Sequence, residues 1–217
     1  DKVSAKGSFA GAFFMGSPDF KRLLPFPIQS DEDREAGDEF IKKFRRFLLE
    51  HVDPDAIDRE GEVPLDVLDG LRKLGSFGIK IPKEYGGLGL SQTNYSRAAM
   101  EVGGYCANLT ALLSAHQSIG VPQPLIAFGT EEQKKKYLPR CAAGEISAFA
   151  LTEPNVGSDP AKMKTSAVLS EDGEDYLLNG EKLWCTNGVK AGLSVVMARS
   201  AETEEALKSS RKITAFI

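Results

Sequence analysis

Apolar residues recur at helical spacing along the first part of the chain. In DREAGDEFIKKFRRFLLEHV, at positions 33–52, apolar side chains fall on one helical stripe with Lys and Arg between them: Phe40, Ile41, Phe44, Phe47 and Leu48. A stripe of this kind is typical of an amphipathic helix packed against a core. The pattern therefore predicts a helix that ends just before Pro54.

Further helices follow from the same periodicity. One is predicted to begin at Pro64, a favoured first-turn residue, and to end at Gly75. Its apolar residues are Leu65, Leu68 and Leu71; two later helices carry Tyr95, Ala98, Ala99 and Val102, and then Leu109, Leu112, Leu113 and His116. The glycine-rich stretch 78–91 predicts a loop, and Gly120, Pro122 and Pro124 are predicted to break the pattern. Thr130 and Gln133 have capping-box spacing, which predicts a last short helix ending near Pro139.

From Ile146 onward the period changes to that of strands. The candidates are ISAFALT, KTSAVL, YLLNG, GLSVVMAR and ITAFI, with EKLWCT between two Asn-Gly pairs that predict a hairpin. We therefore expect an α+β protein: an N-terminal extension (1–30), an all-α helical domain (31–147) and an incomplete antiparallel β domain (148–217). Because the chain starts at Asp1 and stops inside a predicted strand, we expect that both ends were cut from a longer protein.

Composition narrows the class of protein. A net charge of −4 and a pI near 5.4 argue against nucleic-acid binding, which needs a clustered basic surface. The three cysteines share no CxxC spacing, which favours a reducing compartment over a disulfide framework. Neither an apolar run long enough to span a membrane nor a targeting pattern is visible. We expect a cytoplasmic protein if the source is bacterial, or one on the mitochondrial matrix side if it is eukaryotic.

Several common chemistries are disfavoured. His51 and His116 lie far apart without cysteines at ligand spacing, which argues against zinc, and His116 is interpreted as a core or helix-end residue. GGLGL lacks the Rossmann spacing, and no Walker loop or catalytic triad is present. The carboxylate-rich stretch 53–60 lacks the glycine of a calcium loop and is expected to be a solvated loop.

FALTEPNVGSD, at 149–159, is the chemically richest segment. It offers the hydroxyls of Thr152 and Ser158, while Gly157 permits close backbone approach, and Asp159 is expected to hold the turn through backbone N–H groups. Trp184 and Thr186 are two residues apart, so on a strand they would share one face. The residues alone leave two interpretations open: a surface for a planar cofactor, or a buried tryptophan beside a turn.

FALTEPNVGSD followed by GEKLWCTNG resembles the acyl-CoA dehydrogenase family. That family's signature is aromatic-x-x-Thr-Glu-Pro-x-x-Gly-Ser-Asp and then Trp-x-Thr/Ser-Asn-Gly. IPKEYGGLGLS and FGTEEQKKKYLPRCAAGE also resemble family segments, and the similarity covers nearly all of residues 31–217. KGSFAGAFFMG, LLSAHQSIG and KITAFI most resemble the very-long-chain branch.

The resemblance implies an FAD site. Its cofactor-binding residues would be Phe149, Ala150, Leu151, Thr152, Glu153, Pro154, Asn155, Val156, Gly157, Ser158, Trp184, Cys185 and Thr186. Among them, Thr152 would bond the isoalloxazine edge, Thr186 would lie near N5, and Ser158 would also contact the acyl-CoA substrate. Cys185 replaces the more usual isoleucine and is expected to face away from the flavin.

The implied reaction is α,β-dehydrogenation of fatty acyl-CoA thioesters of medium to very long chain, with electrons passed to an electron-transfer flavoprotein. The family's base is a glutamate of a C-terminal helical domain, and no glutamate here matches that motif, so we name no catalytic residue. This chain alone is therefore expected to be inactive, and a dimer or tetramer is expected at full length. An acyl-CoA oxidase, a flavin monooxygenase relative and a non-catalytic assembly protein remain alternatives.

Overall fold

The computed structural model describes residues 9–25 and 28–217, so part of the expected extension at 1–30 lies outside the described residues. The helices are α1 (Phe9–Phe14), α2 (Asp31–His51), α3 (Pro54–Glu60), α4 (Leu65–Lys73), α5 (Gln92–Gly103), α6 (Ala107–Ser114), α7 (Pro122–Phe128), α8 (Glu131–Ala142) and α9 (Glu204–Leu207). The strands are β1 (Ser147–Ala150), β2 (Ser166–Leu169), β3 (Tyr176–Asn179), β4 (Leu193–Ala201) and β5 (Ile213–Phe216). A helical layer thus precedes a sheet, which confirms the α+β class.

Helix α2 confirms the predicted amphipathic stripe. Ser30 caps its N-terminus by accepting a hydrogen bond from the Asp33 N–H, and three acidic residues occupy the first turn. Phe40, Phe44 and Leu48 are buried on one face, and this face forms part of the main helical core with α4, α5 and α6. The hydrophobic period therefore determined both the helix and its buried side.

Three proline positions were misjudged from the sequence. Stretch 53–60 is helix α3 rather than a loop, with Asp53 as its cap and Pro54 in its first turn. The break predicted from Gly120 is present, because Gly120 has an extended backbone, but Pro122 begins helix α7, which was not predicted. Proline is tolerated in a first turn because the N–H it lacks has no helical partner there. Pro139 lies inside α8, which continues to Ala142.

One position of the predicted α4 stripe is also corrected. Leu68 and Leu71 are buried, but Leu65 is 76% exposed, and Val67 takes the third buried position. Helix α4 begins at Leu65 itself, so this residue lies at the edge of the core rather than over it.

The predicted capping box at the start of α8 is confirmed. The Thr130 hydroxyl accepts a hydrogen bond from the Gln133 N–H at 3.2 Å, and the Gln133 side chain accepts one from the Thr130 N–H at 3.0 Å. Replacing Thr130 with alanine is expected to lower the free energy of unfolding by about 1 kcal/mol, measured by urea denaturation. Thr130→Ser keeps the hydroxyl and should stay near wild type; an equal loss in both variants would contradict this role.

The sheet is mixed rather than wholly antiparallel as expected. Strand β4 pairs in parallel with β1 and β2, whereas β2–β3 and β4–β5 are antiparallel. Parallel partners need long connections, and the chain provides them: residues 151–192 lie between β1 and β4, and residues 170–192 lie between β2 and β4. Alternating burial looks the same in both pairings, so the sequence pattern could not distinguish them.

The predicted hairpin strand EKLWCT is not present. Residues 181–185 lie outside every strand, because Gly180 at φ +151° and Trp184 at φ +56° interrupt the extended backbone. The sheet and the helical layer meet in a second core cluster, in which Leu138 and Cys141 of α8 lie with Leu193 and Val195 of β4. No helix in residues 9–25 and 28–217 combines the length and apolar content that crossing a membrane requires.

Candidate functional site

The end of β1 and the irregular segment 182–185 run side by side. Three hydrogen bonds join them: from the Leu183 N–H to Thr152 O at 2.8 Å, from the Lys182 ammonium to Leu151 O at 3.0 Å, and from the Cys185 thiol to Phe149 O at 3.4 Å. The two segments quoted from the sequence are therefore in direct contact. Tertiary structure brings together residues that are about thirty positions apart along the chain.

From Leu183 to Asn187, partly buried and exposed positions alternate. Trp184 is 82% exposed and Thr186 is also exposed, whereas Cys185 is half-buried against β1. The side chain of Cys185 thus lies on the opposite side of the segment from those of Trp184 and Thr186, as expected, although the backbone is not a strand. Trp184 is thus not part of a core formed by the described residues, which favours the first interpretation over a buried tryptophan.

The turn after Thr152 is closed by its own backbone. Glu153 and Val156 exchange two backbone hydrogen bonds of 3.0 Å each, and Pro154 and Asn155 form the exposed tip between them. This arrangement presents the tip outward on a defined backbone.

The Glu153 side chain points into the protein. It is 5% exposed, and its carboxylate accepts hydrogen bonds from the Lys164 N–H at 2.7 Å and the Thr165 N–H at 2.9 Å. The Lys182 ammonium lies 2.9 Å from the same carboxylate. The side chain is therefore engaged by the protein's own groups, and it ties the turn both to residues 164–165, just before β2, and to segment 182–185.

Burial by itself raises the pKa of Glu153, but the hydrogen bonds from Lys164, Thr165 and Lys182 outweigh it. Together they lower the pKa from an ordinary value of 4.5 to about 2. The carboxylate is thus ionised across the physiological range and is a poor acceptor for a substrate proton. Its chemistry suits a fixed anchor rather than a general base.

The last three residues of FALTEPNVGSD, 157–159, are exposed to solvent. A Cβ placed on Gly157 would meet nothing within 4 Å, so the described residues leave the space above this backbone free. Asp159 does not accept the backbone N–H bonds expected of it; its carboxylate pairs with the Lys162 ammonium at 3.2 Å. The turn is closed instead by the Asp159 carbonyl, which accepts the Lys162 N–H.

Polar groups at this edge fit the rim of a planar cofactor. The hydroxyls of Thr152, Ser158 and Thr186 make no hydrogen bond to any other residue in 9–25 or 28–217. The exposed indole of Trp184 lies two residues before Thr186 along the chain, and the preceding residue, Leu183, bonds the Thr152 carbonyl. Aromatic area bordered by free hydroxyls suits a flat ring system with carbonyl and nitrogen edges. Among the described residues, no hydrogen bond or ion pair joins Ser158 to segment 182–185.

Sequence reasoning missed Lys182 and Asn187. The Asn187 amide donates to Leu112 O at 3.0 Å and to Ser147 O at 3.2 Å, which ties the turn 186–190 to both α6 and β1. Its φ of +68° is one that asparagine tolerates well, and the Asn-Gly pair was the available signal. The buried pairing of Lys182 could not be predicted from the sequence, because a lysine in a charged stretch usually faces water.

Two family models match the chain. The model described as the acyl-CoA dehydrogenase N-terminal domain matches residues 34–145, and the model of the middle domain matches residues 148–217. FadE10, a probable acyl-CoA dehydrogenase of Mycobacterium tuberculosis, is 52% identical over 199 residues, covering 92% of this chain and 30% of that protein. Very long-chain specific acyl-CoA dehydrogenase of Homo sapiens mitochondria is 41% identical over 213 residues, covering 97% and 32%. The chain therefore spans about a third of the length of these relatives.

Solved structures agree with the sequence matches. Butyryl-CoA dehydrogenase from Megasphaera elsdenii superposes with a TM-score of 0.74 at 32% identity, covering 89% of this chain and 49% of that one. An acyl-CoA dehydrogenase from Bacillus anthracis, complexed with FAD, superposes with a TM-score of 0.68 at 31% identity, covering 95% and 34%.

Proposed function

Because this chain belongs to the acyl-CoA dehydrogenase family, we propose that it forms the flavin-facing part of an enzyme performing FAD-dependent α,β-dehydrogenation of fatty acyl-CoA thioesters in β-oxidation. The substrates are of medium to very long chain, and the electrons pass to an electron-transfer flavoprotein. The preference for longer chains rests on similarity to the very-long-chain relatives.

One observation carries the proposal. The two motif segments that the resemblance assigns to flavin contact lie side by side, with an exposed indole and free hydroxyls directed away from the core. A tryptophan with 82% of its surface in water is unusual unless another group covers it in the working protein. Bound FAD supplies both the cover for the ring and the redox chemistry.

The residues have separate tasks in this proposal. The backbone from Phe149 to Ser158 supports the flavin, and the Thr152 hydroxyl bonds its ring edge. Trp184 and Thr186 flank the ring, while Ser158 contacts both the cofactor and the acyl-CoA. Orienting the thioester in this way reduces the entropic part of the barrier, since the reacting groups need not find each other.

We assign no proton-abstracting base to this chain. Glu153, the carboxylate within the motif, is ionised but already accepts hydrogen bonds from Lys164, Thr165 and Lys182. A base must reach the substrate's α-proton within hydrogen-bonding distance, which a side chain directed into the core does not do. Since no other glutamate here matches the family's base motif either, the proposed reaction takes its base from sequence outside these 217 residues.

An anaerobic titration tests the proposal. The full-length protein, loaded with FAD, should lose its oxidised-flavin absorbance when acyl-CoAs of medium to very long chain are added, and an electron-transfer flavoprotein should restore it. The 217-residue chain alone should show no turnover. Failure of every chain length to bleach the flavin would contradict the dehydrogenase function. Peroxide formation in air at the rate of turnover would indicate an oxidase instead.

Assembly and location complete the proposal. The full-length enzyme is a dimer or tetramer, located in the cytoplasm of a bacterium or on the matrix side of a mitochondrion. Light scattering of the purified full-length protein tests the first statement, and fractionation of the source cells tests the second.

A further inference from the structure

His116 lies at the junction between the helical layer and the sheet. It belongs to a π-helical turn, Ala115–Ile119, that continues α6, and its side chain is completely buried. Its ring packs edge-on against Phe77, with centroids 5.3 Å apart. The expectation that His116 is a satisfied core histidine is therefore confirmed, but its hydrogen-bond partners give it a more specific task.

Both nitrogens of the His116 ring have partners that determine their roles. Nε2 lies 3.1 Å from Phe77 O, which can only accept, so Nε2 carries the proton. Nδ1 lies 3.0 Å from the Ser147 N–H, which can only donate, so Nδ1 is the acceptor. The ring is thus the neutral Nε2–H tautomer. Burial lowers the pKa of His116 to about 4, in agreement with this assignment.

Ser147, the first residue of β1, is held from two sides. Its N–H is bound by His116, and its carbonyl accepts the Asn187 amide at 3.2 Å. Its hydroxyl lies 2.9 Å from His116 Nδ1 and accepts the Val121 N–H at 3.2 Å. Asn187 directly follows Thr186, so the chain of contacts runs from the π-helical turn through β1 to the exposed site segment.

The geometry points to His116 as a positioning residue for the flavin site: through Ser147 and Asn187 it sets where Trp184 and Thr186 stand relative to the helical layer. This inference rests on the proposed function for its flavin readouts, but the contacts themselves need no cofactor. The physical reason is that segment 182–190 contains no strand or helix, so its position depends on such individual bonds.

Gln117 offers a matched control on the same turn. It is 2% exposed, and its amide accepts from the Ile79 N–H at 3.0 Å and donates to Ser76 O at 2.8 Å. Both of its partners belong to the helical part of the chain, and neither forms a hydrogen bond with β1. A change at Gln117 should therefore weaken the protein without moving the site segment.

The test compares three variants in the full-length protein. His116→Leu and His116→Asn have similar size, but only asparagine can still accept the Ser147 N–H. His116→Leu is expected to weaken FAD binding roughly tenfold and to change the visible circular dichroism of bound flavin. His116→Asn and Gln117→Met should stay within about threefold of wild type. Equal flavin affinity and spectra in all three variants would overturn the positioning role.

Two additional measurements keep the result decisive. Asn187→Gly tolerates the positive φ but lacks both bonds, so it should reproduce the flavin changes even if His116→Leu fails to fold. In flavin-free protein, amide exchange at Ser147 and 186–190 should accelerate in His116→Leu or Asn187→Gly, but not in Gln117→Met. Unchanged exchange in those variants overturns the inference. Wild-type protein that binds no FAD, with the exchange difference intact, contradicts only the proposed function.

Discussion

Replacing Lys182 with methionine is expected to lower the free energy of unfolding by about 3 kcal/mol. The change removes the ammonium from a carboxylate that is 5% exposed, while leaving Glu153 charged and buried. The carboxylate keeps its two backbone N–H donors, so the loss falls at the low end for a broken buried ion pair. Leu151 O also loses the donor that holds the end of β1.

Urea denaturation of the full-length protein at pH 7 measures this loss. Lys43→Met is a suitable control, because the Lys43–Glu39 pair is exposed on α2, where solvent screening leaves it little effect on stability. The double variant Glu153→Gln, Lys182→Met should recover part of the stability, since it no longer buries a lone charge. Equal effects at Lys182 and Lys43 would show that the buried pair has no special role.

The buried Glu153 carboxylate also makes the stability of the fold depend on pH in the acid range. The folded-state pKa of Glu153, about 2, lies below its ordinary value of 4.5. Its contribution is therefore complete above about pH 4.5 and is lost as the pH falls toward 2. Lys182→Met removes one of the interactions that lower this pKa, so the variant should lose less stability than wild type across that window. An identical acid dependence in both proteins would contradict the assignment.

Trp184→Ala is expected to separate cofactor binding from stability. Because the indole is 82% exposed, its loss should change the unfolding free energy of the flavin-free protein by less than about 0.5 kcal/mol. Loss of the aromatic contact should nevertheless weaken FAD binding roughly tenfold, measured by fluorescence titration of the full-length protein.

Val189→Ala is the matched control for this experiment. Val189 is fully exposed and lies on the adjoining turn, yet nothing assigns it to the cofactor. It should leave both stability and FAD affinity near wild type. A Trp184→Ala protein that binds FAD as tightly as Val189→Ala would remove the indole from the proposed site.

Periodic elements were predictable because one local rule governs them. The stripe of α2 and the Thr130–Gln133 capping box depend on spacing within a few residues, and both are present as predicted. Prolines were misinterpreted because a proline can either begin a helix or interrupt one, and spacing alone does not distinguish the two cases. Pro54 begins α3, whose N-terminus Asp53 caps. Pro122 begins α7, and no side chain of the described residues caps that helix.

The candidate site could be predicted only in part from the sequence. The motif segments pointed to Thr152 and Trp184, but the hairpin predicted for Trp184 is absent, since its positive φ departs from a strand. Glu153 was grouped with the cofactor-facing residues by resemblance, and only the fold shows its side chain directed inward. Whether these residues contact FAD stays a prediction.

Local spacing along the chain thus specified five of the helices (α2, α4, α5, α6 and α8) and the five strands, whereas the resemblance of two motif segments pointed to the family. The tertiary structure alone decided the mixed pairing of the sheet, the inward turn of Glu153 onto Lys182, and the link from His116 through Ser147 to Asn187. The reason is physical: periodicity reports which side of an element is buried, whereas a hydrogen bond between distant residues depends on how whole elements pack.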